Sequence, residues 1–64
     1  MTRKKLKAAR LEKGMTQQEV AEYLNIAPRH YQRIENGEAL GSIKNWDALE
    51  DLFSIHQRKL RELS

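Results

Sequence analysis

The sequence predicts an all-α fold, a compact domain of five short helices, and three observations carry that expectation. Helix-period apolar spacing recurs along the chain, breaks fall at Gly14, Asn25, Gly37 and Gly41, and no segment alternates apolar and polar residues as a half-buried strand does. Sixty-four residues suffice for one small domain, read here as spanning 1–64. Cysteine is absent, so neither a disulfide nor a thiolate metal site can support so small a core.

The first helix is expected over 2–13, with Thr2 as its cap and Gly14 in the left-handed position that ends it. Leu6, Ala9 and Arg10 fall on one face. The second starts at a capping box, Thr16-Gln17-Gln18-Glu19, in which Thr and Glu three residues apart satisfy each other's backbone N–H groups. It turns Val20, Ala21 and Leu24 inward and ends at Asn25, a residue that tolerates positive φ. Pro28, with its fixed φ, suits the first position of a third helix ending before Gly37. A fourth helix is expected over 43–53, capped by Ser42, with Ile43, Trp46, Leu49 and Phe53 on its inner face. A fifth is expected over 56–63.

The second and third helices are joined by only Asn25, Ile26 and Ala27. So short a link forces them to cross steeply, which is helix-turn-helix geometry over about residues 16–36. Ile26 is then the plug in the angle. On a wheel of about 100° per residue, Tyr31 and Ile34 form the buried stripe of the third helix. Pro28, Arg29, Gln32 and Arg33 face outward, and His30 flanks the core. Arginine can donate two hydrogen bonds to guanine O6 and N7, and glutamine pairs with adenine N6 and N7. Arg29 in the first turn opposes the helix dipole, and Ala27 is a poor cap. A phosphate bound at that helix start would remove both faults.

Charge points the same way. The net charge is +3, but residues 1–33 carry eight Lys/Arg against three Glu, and residues 34–64 carry four against six acids. A basic half on a small domain fits a polyanionic partner. No apolar run exceeds three residues, so neither a transmembrane helix nor a secretory signal is expected, and the location is read as cytoplasmic. His30 and His56 stand alone without metal-ligand spacing. No carboxylate pair, activated nucleophile or glycine-rich phosphate loop is set up, so no catalytic residue, cofactor, metal or membrane partner is expected.

The chain resembles the Cro/lambda-repressor-like helix-turn-helix family of phage and bacterial transcriptional regulators. The matching residues are Thr16-Gln17, Ala21, Leu24, the apolar turn residue Ile26 and the ending Ile34-Glu35-Asn36-Gly37. Arg10 and Gly14 match upstream, and Leu49, Phe53, Ile55 and Leu60 downstream, so the likeness covers about residues 3–60. It implies a sequence-specific regulator of double-stranded DNA, a repressor reading the major groove with the helix at 28–36. It further implies that Gln17 bonds a DNA phosphate and steadies the recognition helix, and that Pro28, Arg29, Gln32 and Arg33 face base edges. His30 and Lys44 fall at phosphate-contact positions, and Arg10 and Glu35 at those of an internal ion pair. Departures are Ala27 for a hydroxyl residue, Asn25 and Ser54 for glycines, and Glu38 in a loop that in relatives often holds a base. The alternative is a protein-interaction or antitoxin-like module on the same fold, which an acidic outward face would favour. A domain this small reads few base pairs, so a homodimer on a palindromic operator is expected, weak or monomeric when free. Its contact is placed on the C-terminal segment, with Leu60 and Leu63 as one stripe and Ile55 inward.

Overall fold

The computed structural model describes residues 1–63; Ser64, the last residue of the expected domain, lies outside them. Among the described residues the chain is helical and without strands, in the order α1 (Lys4–Glu12), α2 (Gln17–Leu24), α3 (Pro28–Glu35), α4 (Ile43–Phe53) and α5 (Gln57–Leu60). The predicted fold class is the observed one.

Local chemistry sets the sharpest boundaries. The Thr16 hydroxyl accepts from Glu19 N at 3.0 Å, and the Glu19 carboxylate accepts from Thr16 N at 2.8 Å, so the capping box closes from both sides. α2 stops because Asn25 enters the left-handed region (φ 60°), which lets Ile26 N donate back to Ala21 O at 3.0 Å. That reversal turns Ile26 toward the core and starts α3 two residues later at Pro28. Ser42 caps α4 by accepting from Asn45 N at 3.1 Å. Ser54 ends α4 at φ 55°, a left-handed conformation that costs a residue with a Cβ about 1–2 kcal/mol.

One core joins all five helices. Leu6 of α1, Val20 and Ala21 of α2, Tyr31 and Ile34 of α3, Leu49 of α4 and Leu60 of α5 have no exposed surface. Burying a side chain such as Leu6 contributes about 1.5–3 kcal/mol. Trp46 fills the space between α4 and the loop after α3, and its indole N–H donates to Leu40 O at 2.7 Å. Gly41 is required beside it: φ is +82°, and a Cβ there would press on Ile34 Cδ1 and Trp46 Nε1 at 3.2 and 3.3 Å.

Four expectations are corrected. Thr2 does not cap α1, which begins at Lys4 with Arg3 in the cap position and no side-chain cap bond. The Arg3 N–H is taken by Glu35 O at 2.8 Å and its side chain is drawn inward, while Met1 ahead of it stays exposed. Ile43 is exposed rather than inward, at 79%. As the first residue of α4 it sits about 60–120° round the helix from Trp46, Phe53 and Leu49, with no preceding turn to cover it. α5 is one turn, capped by the His56 imidazole, whose Nδ1 accepts from Arg58 N at 3.0 Å. Leu60 is fully buried and Leu63 exposed, so the two form no common surface stripe.

Candidate nucleic-acid interface

α3 is held from inside by one carboxylate. Burial of Glu35 leaves it 1% exposed, and both of its oxygens are fully engaged. Oε1 accepts from Arg10 Nε at 2.8 Å and Tyr31 OH at 3.0 Å; Oε2 accepts from Gln17 Nε2 at 2.8 Å and Arg10 Nη2 at 3.2 Å. Arg10 uses its remaining amino group on Met15 O at 2.9 Å. Residues of α1, α2 and α3 and of the link between α1 and α2 therefore meet at a single node. Burial alone would raise the Glu35 carboxyl, but the hydrogen bonds from Arg10, Gln17 and Tyr31 and the Arg10 charge outweigh it and hold it below the usual range. The same burial, next to that negative charge, pushes the Tyr31 phenol well up, so it stays a donor.

The opposite face of α3 is free. Pro28, Arg29, His30, Gln32 and Arg33 are all exposed, and His30 lies in solvent rather than flanking the core. Ala27 gives α3 no side-chain cap, and no acid stands in its first turn. Pro28 has no N–H and His30 N donates to Ala27 O at 3.0 Å, which leaves the Arg29 N–H of the first turn to an external acceptor. Lys44, second in α4, is exposed and lines a groove of about 390 Å³ with Asn25 and Ile26 of the turn. Gln17 is not on this outward face: it is half-buried, and its amide N–H is committed to Glu35, which ties the start of α2 to the end of α3.

Two features lay outside the sequence reading. Tyr31 joins the node through its hydroxyl, which the four-residue spacing from Glu35 on one helix face could have shown. Arg3, buried at 4% exposure, clasps the far end of α3: Nη1 donates to Ile34 O at 2.6 Å and Ala39 O at 2.9 Å, and Nε to Arg61 O at 3.0 Å. Its guanidinium also lies 5.2 Å from the Trp46 ring centre.

Two short helices locked across a three-residue turn, the second presenting a polar, cationic outer face, define a helix-turn-helix domain. A helix-turn-helix family model matches residues 6–56, and the chain belongs to that family. Over 43 residues it is 51% identical to YqaF of Bacillus subtilis (strain 168), described as an uncharacterized HTH-type transcriptional regulator. The alignment takes in 67% of this chain and 57% of YqaF, so the chain spans a little over half the length of that relative. No solved structure matches the chain.

Proposed function

We propose that the chain is a sequence-specific double-stranded DNA-binding transcriptional regulator, a repressor, that reads the major groove with α3. The observation that carries this reading is the exposed Arg29, Gln32 and Arg33 on a helix whose inner side is fixed by the Glu35 node. A base-reading helix must hold its register, because each bidentate base contact is worth about 1–3 kcal/mol only at the right distance. Arg29 and Arg33 are the base readers, Gln32 a third base contact, and Pro28 meets a thymine methyl. The uncapped start of α3 takes a phosphate, as do His30, Lys44 and Gln17, the last with the part of its amide not used by Glu35. The outward face of α3 is not acidic, which favours DNA over a protein partner.

With one short reading helix per domain, two copies act together on a palindromic operator, half-sites about one helical turn apart. Because Leu60 is committed to the core, the contact falls to Leu63, with Leu40 on the rim of the same cleft; both are exposed. So small a surface leaves the free protein monomeric or weakly dimeric. The chain acts in the cytoplasm, where its DNA is; no described helix is long and apolar enough to cross a membrane.

Selection of bound duplexes from a random pool tests the reading, followed by titration of the selected site over a range of salt. Affinity should fall with a log–log slope of about −0.9 per neutralised phosphate. Arg29→Ala and Arg33→Ala should each cost about 1–3 kcal/mol on that site and relax one base position, whereas Lys44→Ala should weaken all sequences alike. Failure to enrich any duplex, or binding indifferent to salt, overturns the proposal.

A further inference from the structure

The loop that leaves α3 sets an acid against its cationic face. Gly37 adopts φ +80° and turns the chain back. Glu38 N and Ala39 N then both donate to Arg33 O, at 2.8 and 3.2 Å, which fixes Glu38 alongside the last turn of α3. Its Oε1 stands 3.9 Å from Arg33 Nε, a charge contact rather than a hydrogen bond. Both side chains are more than half exposed, so the contact adds little to stability. Arg29, the other arginine of this face, takes part in none of the described ion pairs. The two arginines therefore differ in their electrostatic surroundings, although both sit on the same outward surface.

We propose that Glu38 is a specificity-determining residue of the DNA-reading face: it penalises contacts of Arg33 with phosphate while sparing contacts with a base edge. The inference rests on the DNA-binding reading above. Binding to arbitrary DNA is almost wholly a matter of cations meeting phosphates. A phosphate that approaches the Arg33 guanidinium is brought beside a carboxylate of its own sign. Guanine O6 and N7 are neutral acceptors, and the carboxylate repels them far less. The contact is made to Nε, which leaves unclaimed the two terminal amino groups, the fork that guanine takes. A repulsive element of this kind lowers affinity for the wrong ligand more than for the right one, which is what specificity requires.

The test compares the parent and Glu38→Gln on the pool-selected duplex and on duplex of random sequence, each over a range of salt. Glu38→Gln should bind random duplex about two- to fivefold more tightly, the size that an exposed charge interaction carries. The selected site should change less, so the ratio of the two affinities falls. The salt slope on random duplex should steepen by up to about 0.9, because Arg33 becomes free to neutralise one more phosphate. In an Arg33→Ala background the substitution at position 38 should have no effect. Unchanged affinity for random duplex overturns the inference, as does an equal effect with Arg33 absent. Loss of the selected site alone would make Glu38 a base contact and also overturns it. If the parent enriches a site and Glu38→Gln leaves the ratio intact, this inference falls and the DNA-binding reading stands; a parent that binds no duplex sinks both.

Discussion

Arg10 and Arg3 are both buried, both reach α3, and are neutralised in different ways. Arg10 meets a carboxylate in two parallel bonds, and that carboxylate is shared with Gln17 and Tyr31. Arg3 meets main-chain carbonyls at Ile34, Ala39 and Arg61, with the Trp46 ring beside it and no acid among its hydrogen-bond partners. Two of those carbonyls lie at helix ends, Ile34 in the last turn of α3 and Arg61 just past α5, where the helix dipoles gather partial negative charge. The first arrangement joins two full charges, so removing either partner strands the other. In the second, a full charge is spread over partial ones, and removing it leaves only neutral groups. Burial, and after it the nearby Arg61 charge, lowers the Arg3 guanidinium, whereas the Glu35 hydrogen bond raises that of Arg10. The node positions α3 from the side. The clasp ties the end of that helix to both ends of the chain.

The largest effect should come from separating the ion pair. Glu35→Ala leaves a guanidinium in the interior with only Met15 O to meet, and Arg10→Ala leaves a carboxylate with two neutral donors. A broken buried pair costs about 3–5 kcal/mol. Domains of this size have about 3–10 kcal/mol in all, so either variant should be largely unfolded well below the parent's melting temperature. Replacing both residues by apolar ones of similar volume should recover much of the loss, since no charge is then stranded. Calorimetric or circular-dichroism melts of the three variants decide this, and single variants that melt with the parent would remove the node from the account.

Arg3→Ala should cost less, about 2–3 kcal/mol. Charge-assisted bonds contribute about 1.5–3 kcal/mol each, and water can reach the part-buried Ala39 and Arg61 carbonyls once the side chain has gone. Its signature is different. Trp46 is the one tryptophan of the chain, so its emission should change with Arg3→Ala and hold steady in Arg10→Ala under conditions where both remain folded. A larger destabilisation from Arg3 than from Glu35 would invert the ranking of the two devices.

That contrast also explains what could be read in advance. Glu35 was legible as an ion-pair partner because a carboxylate has a name, and it stands at a recognisable place in the Ile34-Glu35-Asn36-Gly37 ending. Thr16 with Glu19, Asn25 and Pro28 were legible for a similar reason: each acts on backbone within a few residues of itself. The outward set on α3 followed from helical spacing alone. Arg3 was not legible, because every residue offers a carbonyl and the three it binds lie 31, 36 and 58 positions away. Nothing in its neighbourhood, a run of basic residues, distinguishes it from Lys4 or Lys5. The contact of Glu38 with Arg33 was missed although they are only five residues apart, because it depends on the reversal at Gly37. Ile43 was placed on the wrong side because the first residue of a helix has no preceding turn to cover it. Leu60 was misplaced because the fifth helix, expected over 56–63, is a single turn that ends on it and leaves Leu63 outside.

Acid should separate the two devices by a smaller and graded effect. Glu35 is held below the usual carboxylate range in the fold, while in the unfolded chain it takes its ordinary value of about 4.3. A group with a depressed folded value stabilises the fold fully above the unfolded value, and that contribution is lost as pH falls through the folded one. Between the two values the unfolded chain binds the extra proton, so stability should decline by at most about 1.4 kcal/mol per pH unit from this group. The parent should therefore lose melting temperature from about pH 4.5 downward. Other carboxylates add to that loss, so the informative quantity is the difference between the parent and Glu35→Gln, which should narrow as pH falls. The clasp has no such dependence, because neither a guanidinium nor a main-chain carbonyl changes protonation in this range. The gap between the parent and Arg3→Ala should stay constant from pH 6 to pH 3. Parallel parent and Glu35→Gln curves over that window would mean that Glu35 carries no depressed value, and a gap for Arg3→Ala that closes in acid would mean that the clasp leans on a carboxylate after all.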